Sequence, residues 1–158
     1  MEQFRERLIR LLRAAGWKFR EFEDGVTGYY GMPESLHISQ PLPFVLFIDS
    51  SGVNHCTILF EHLEQGVLAS VAEYSMRVNY ILKNGSFDIN YDGGELRFKC
   101  WLSADAIESM TDANAISQID ALMRLPYMVV GKFYAGFGEV VSGRKGPSAA
   151  FAASIGGQ

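Results

Sequence analysis

The chain is poor in cysteine, histidine and uncompensated positive charge, and each shortage removes a class of function. Cys56 and Cys100 are the only cysteines in 158 residues, far apart and each inside an apolar, strand-like run. A disulfide framework needs more of them and a secretory setting, so both thiols read as small buried hydrophobes. The three histidines are His37, His55 and His62. His55 and His62 stand seven apart in an extended segment, which sends them to opposite faces of a strand, and His37 is alone in a loop. The neighbouring His55 and Cys56 point apart for the same reason. Nothing here has the convergence a metal centre needs, and no metal ligand is assigned.

Fourteen basic side chains face eighteen acidic ones, a formal net charge of −4. Binding to a phosphate backbone rests on clustered Lys and Arg. The basic residues gather only near the start, at Arg5, Arg7, Arg10 and Arg13, interleaved with Glu2 and Glu6. That pattern is a solvated helix face, and no nucleic-acid partner is expected. No apolar run approaches the ~20 residues of a membrane span, and the first residues are charged with no apolar leader core. The expectation is a cytoplasmic protein with no membrane partner.

Reacting constellations are equally scarce. There is no Gly-x-Ser-x-Gly elbow, and Cys100 lies mid-strand among apolar neighbours, where a thiol is inert. The carboxylate pairs Glu61 with Glu64 and Glu21 with Glu23 fall at element edges and read as solvation. Gly136-Phe137-Gly138 closes a long helix instead of opening one after a strand, so it is helix termination and not a dinucleotide fingerprint. Gly143-Arg144-Lys145-Gly146-Pro147-Ser148 has the wrong order for a phosphate loop. No catalytic or cofactor-binding residue is assigned, no cofactor is expected, and the domain is read as non-enzymatic.

What is present is a strong pattern of elements. Phe4, Leu8, Leu11, Leu12 and Ala15 place one apolar face on a helix over 2–15, stopped by Gly16. Trp17, Phe19 and Glu21 then alternate with Lys18 and Arg20 as a strand, and Asp24-Gly25 turns the chain into Val26–Tyr30. The Gly31–Pro43 segment holds three prolines and reads as a loop with a short strand near Leu36–Ile38. Phe44–Ile48 is apolar at every position, which predicts a central strand covered on both faces. It pairs as a hairpin with His55–Leu63. A helix over 65–83 follows, ended by Asn84-Gly85.

Phe87, Ile89 and Tyr91 alternate with Asp88 and Asn90. After Asp92-Gly93-Gly94 the chain returns as Leu96, Phe98, Cys100 and Leu102, the firmest hairpin in the sequence. Ile116, Ile119, Met123, Tyr127, Val130, Tyr134, Phe137 and Val141 hold helical phase from Asp112, the candidate N-cap. Pro126 interrupts that run and predicts a kink or two helices meeting. The expected fold is α+β: a mainly antiparallel sheet with helices packed on it, in the order α-β-β-β-α-β-β-α. One domain covers 1–141, and 142–158 is a small-residue-rich, flexible tail.

The second half resembles a known pattern. Asn79-Tyr80-Ile81-Leu82 leads through Gly85-Ser86-Phe87-Asp88-Ile89 and Asp92-Gly93-Gly94 to Leu96-Arg97-Phe98. A long helix then ends near Gly143, before Pro147-Ser148-Ala149-Ala150. This is similar to the YbjN-type domain, whose fold is like that of type III secretion chaperones. The resemblance implies a non-enzymatic interaction domain, dimeric in many relatives, that holds an extended partner segment on its sheet and helix surfaces. Some relatives are described as sensory or regulatory.

Three functions compete. The first is a chaperone-like or regulatory protein-binding module, with a partner strand adding at a sheet edge and Trp101 as a contact. The second is a homodimer that consumes an apolar sheet face. The third is a small-ligand domain or unfamiliar enzyme built around Tyr29, Tyr30 and His37.

Overall fold

Leu8, Ile9, Leu11 and Leu12 fall on one stripe of helix α1 (Phe4–Ala14), and all four are buried. Gly16, at φ 87°, takes the left-handed conformation that ends it. The computed structural model describes residues 2–38 and 40–156. Four strands follow: β1 (Arg20–Phe22), β2 (Gly25–Tyr30), β3 (Leu42–Ile48) and β4 (Gly52–Phe60). Helix α2 (Gln65–Ile81) leads to β5 (Ser86–Ile89) and β6 (Leu96–Ser103). Then come a single turn α3 (Asp105–Glu108), the long α4 (Asp112–Val141) and α5 (Pro147–Gly156). None of the described helices is long and apolar enough to cross a membrane.

The six strands form one sheet in the order β1-β2-β3-β4-β6-β5, antiparallel at every neighbouring pair. The α+β class is therefore as expected, with four strands instead of three before the second helix. Inserting β6 between β4 and β5 joins the two hairpins into a single surface. Helix α4 lies across β4 and β6, and both α1 and α2 contact it. The inward residues Phe44, Leu46, Val53, Phe98, Ile119, Met123 and Phe133 close the core between the layers.

Several local features differ from the sequence expectation. Strand β3 begins at Leu42, and the preceding loop carries one 3-10 turn, Glu34–Leu36, with no strand at Leu36–Ile38. Thr111, not Asp112, caps α4: its hydroxyl accepts from the Asn114 amide at 3.3 Å. Asp112 instead binds Arg7 and Arg10, and Arg7 also donates to the carbonyls of Ile107 and Met110. Arg5 and Arg7, half-buried, thus tie the helix to its neighbours, while Arg10 and Arg13 stay exposed as a solvated face requires. Helix α4 runs unbroken through Pro126.

Gly136 is not a terminator. It is a notch mid-helix, where an added Cβ would lie 1.9 Å from the Tyr74 hydroxyl. Through that notch Tyr74 reaches the Phe133 carbonyl and Ser154 Oγ, at 3.2 and 2.8 Å. Ser154 belongs to α5, so most of the segment expected to be a flexible tail is helical and rests against α2 and α4. The alanines around Phe151 are good helix formers, and Ala150 is buried in the contact.

Candidate functional site

Strand register sorts the sheet's side chains into a covered face and an open one. All the helices pack on the face carrying Phe44, Leu46, His55, Phe98 and Cys100. Pairing of Val26 with Leu46, His55 with Cys100 and Phe87 with Phe98 keeps that face in step across the strands. Side chains one residue out of phase point the other way. They form three rows: Tyr29, Pro43, Ile58, Arg97 and Asp88; then Arg20, Thr27, Val45, Cys56, Lys99 and Ser86; then Phe22, Gly25, Phe47, Asn54 and Trp101.

None of the described helices lies over these rows. Tyr29 is 65 % exposed, Phe47 43 % and Trp101 53 %. The Trp101 indole lies over Gly52, where an added Cβ would meet it at 2.6 Å, and Phe22 meets Phe47 edge-on at 6.1 Å. The expectation that Phe44–Ile48 is covered on both faces is thus corrected at Phe47. Antiparallel sheets tolerate a wet face, but that face is usually polar. Here Tyr29, Phe47 and Trp101 face water among Arg20, Asn54, Arg97 and Lys99, and exposed large apolar groups on one face are candidates for an interaction site.

The sheet edges are closed by side chains. Phe87 in edge strand β5 accepts from Asn79 Nδ2 at 3.0 Å, and its own amide donates to Asn79 Oδ1 at 2.8 Å. One side-chain amide from α2 therefore takes the place of a seventh strand at that residue. At the opposite edge β1 is three residues long, and Arg5 donates to the carbonyls of Phe22 and Glu23. Short, occupied edges resist strand addition. The face is what stays accessible.

A second cluster lies inside, between the sheet and α4. Pro126 has no amide hydrogen, so the Leu122 carbonyl one turn earlier lacks its helical donor. Cys100 Sγ reaches that carbonyl at 3.9 Å, and the Tyr30 hydroxyl donates to the next one, Met123. A phenol has one proton, and a carbonyl can only accept. Tyr30 must therefore accept from His55 Nε2–H, at 2.8 Å. That fixes the tautomer and leaves His55 Nδ1 a bare, unpartnered acceptor, as Thr57 Oγ1 nearby is also unpartnered.

Burial pushes the His55 imidazole down to about 3 and the Cys100 thiol up to about 12, and raises Tyr30 and Cys56 as well. All four groups stay neutral near pH 7. A thiol held protonated is a poor nucleophile, and a neutral, fully enclosed imidazole has no route to a substrate. This cluster fastens α4 to the sheet.

The remaining sequence candidates do not converge. Tyr29 faces outward and Tyr30 inward, on opposite sides of the sheet, and His37 sits in a left-handed turn beside a hollow of about 270 Å³. His62 is exposed beyond the end of β4. Glu21 pairs with Arg13, whereas Glu23, Glu61 and Glu64 are exposed. Among the described residues no group of three or more His, Cys, Asp or Glu could hold a metal. A cleft of about 680 Å³ lies between the start of α1 and α3, but its arginines, Arg5 and Arg7, are spent on backbone carbonyls. Sequence reasoning found Trp101 and missed Phe47 and the capping role of Asn79; the exposed Tyr29 it assigned to a ligand site. No family model, curated protein or solved structure matches this chain.

Proposed function

We propose that this chain is a non-enzymatic protein-binding module, chaperone-like or regulatory, that works in the cytoplasm and holds a partner polypeptide on the open face of its sheet. One observation carries the reading. Tyr29, Phe47 and Trp101 stand exposed on a helix-free face of six strands. Aromatic groups of this kind supply large contact area at low entropy cost and dominate binding energies at protein interfaces. The exposed aromatics are spread over several strands and do not converge on one hollow, which suits a polypeptide better than a small molecule needing a concave pocket. A YbjN-type assignment, drawn from the sequence resemblance alone, belongs to the same proposal. Because Asn79 and Arg5 occupy the edges, the partner lies across the face and does not extend the sheet as a further strand.

The test compares the full chain with Phe47→Arg and Trp101→Arg variants, each verified as folded by circular dichroism. Each is used to retain proteins from the source cell, which are then identified by mass spectrometry. At least one polypeptide is expected to be held by the parent and reduced about tenfold, or 1.4 kcal/mol, by both variants. Identical sets on all three proteins remove the sheet face from the function.

A further inference from the structure

We infer that the cleft of about 680 Å³ between the start of α1 and α3 is a second binding site, which takes a small organic cation with an apolar body, an amine or guanidine on an aryl or alkyl chain. The site is independent of the docking face. Ile48, which lines the cleft, is in phase with Phe44 and Leu46, so the cleft belongs to the helix-covered side of the sheet. Tyr29, Phe47 and Trp101 stand on the other side. Sites for small molecules are hollows of roughly 300–1,000 Å³ with apolar walls and a few polar groups that fix orientation. Here Phe4 and Ala104, both half-buried, supply apolar wall, with the buried Ile48 and Ile107 behind them. Covering such a wall is what holds the body of a small ligand.

The charge of the lining selects the head group. Arg5 donates to the carbonyls of Phe22 and Glu23 at 2.8 and 3.0 Å, and Arg7 to those of Ile107 and Met110 at 2.7 and 2.6 Å. An anion in the cleft would have to compete with the backbone for those donors. Two charges of the lining are also answered from outside it, Glu2 by Arg10 at 2.8 Å and Arg7 by Asp112 at 3.3 Å. Asp49, Asp105 and Glu108 then face Arg5 alone, three carboxylates to one guanidinium, a formal −2. None of the three is ion-paired among the described residues.

Asp49 Oδ1 accepts from the Ser51 hydroxyl and amide and from the Gly52 amide, bonds that hold its carboxyl below the usual carboxylate range. Its Oδ2 has no partner among the described residues. A metal ion does not fit this arrangement, because no three His, Cys, Asp or Glu of the described residues could share one. Carboxylates set apart around an apolar hollow suit a cation that is larger and partly apolar. Low-dielectric walls focus their field on the opening.

The experiment titrates the full chain with three probes that share one body, phenylbutylamine, phenylbutanol and phenylbutyrate, followed by amide NMR shifts. The amine is expected to bind with a Kd of roughly 1 mM and to shift amides within 2–7, 48–50 and 104–108. The alcohol should bind about tenfold more weakly, and the carboxylate more weakly still. Asp105→Asn with Glu108→Gln, both exposed, should weaken the amine about fivefold and leave the alcohol unchanged. Should that pair fail to fold, Glu108→Gln alone should weaken the amine about twofold. An amine no tighter than the alcohol overturns the inference, and so does an amine indifferent to the loss of these carboxylates. A carboxylate that binds as well as the amine overturns it too, because Arg5 and Arg7 then set the charge. Shifts centred on Tyr29, Phe47 and Trp101 place the amine elsewhere and have the same effect. Phe47→Arg and Trp101→Arg should bind the amine as the parent does, which tells failure of this site from failure of the docking face.

Discussion

Tyr30→Phe isolates one oxygen atom. The ring is 4 % exposed, and it lies among Trp17, Phe44 and Tyr127 at centroid distances of 6.1, 5.1 and 6.3 Å. Phenylalanine keeps those contacts, so apolar burial is unchanged. What disappears is the hydroxyl that donates to the Met123 carbonyl and accepts from His55 Nε2–H. Leaving a buried polar group without its partner costs about 1–3 kcal/mol. His55 is left without a partner, whereas the Met123 carbonyl keeps its place in the helical ladder opposite the Tyr127 amide, so the variant should be less stable by about 1–3 kcal/mol. Urea unfolding is the assay. With a slope of roughly 2 kcal/mol/M the midpoint moves down by roughly 0.5–1.5 M and the slope stays constant. Tyr30→Phe combined with His55→Leu removes the orphaned imidazole, and the cycle should return a coupling of about 0.5–3 kcal/mol. A loss below about 0.5 kcal/mol for Tyr30→Phe would falsify the view that this network ties α4 to the sheet.

The same histidine sets an acid limit. Its folded pKa is about 3 against 6.5 unfolded, so between those values the unfolded chain binds the extra proton. The stability from His55 is complete above pH 6.5 and falls by about 1.4 kcal/mol per unit as the pH drops towards 3. His55→Phe should remove that slope from denaturation curves taken between pH 6.5 and 4, and an unchanged slope contradicts it. Asn79→Leu deletes both bonds to Phe87, which should cost about 1–3 kcal/mol and raise light scattering well below the melting temperature. No increase in scattering means the edge is protected some other way. Gly136→Ala drives a methyl into Tyr74 and Ser154, so α5 should loosen at a cost of about 1–3 kcal/mol. Hydrogen exchange over 147–156 should accelerate, and adding Tyr74→Phe should relieve part of it.

Features written in local periodicity were legible. The eight apolar positions from Ile116 to Val141 fix α4, and alternation from Phe87 through Leu102 fixes the β5–β6 hairpin. Features that depend on distant partners were not. Tyr30, His55 and Met123 are separated by 25 and 68 positions, and no spacing rule joins them. Pro126 predicts a kink or two helices meeting because it leaves the Leu122 carbonyl without its helical donor, and nothing in the local sequence shows that the Cys100 thiol comes to 3.9 Å from that oxygen. Phe44–Ile48 looked covered on both faces because a run of apolar residues does not show which neighbours lack a lid. The aromatic candidates Tyr29 and Trp101 were visible as residues, but that they share one face follows from β6 lying beside β4, which is not a nearest-neighbour property.

The tied-off borders at Asn79 and Arg5 bear on how this sheet meets other chains. A sheet that recruits strands at its margins can lengthen without end, which is how fibres form. Here that route is obstructed at Phe87 on one margin and at Phe22 and Glu23 on the other. The fold can thus show a broad sheet face to its surroundings without inviting a neighbour's strand to prolong it.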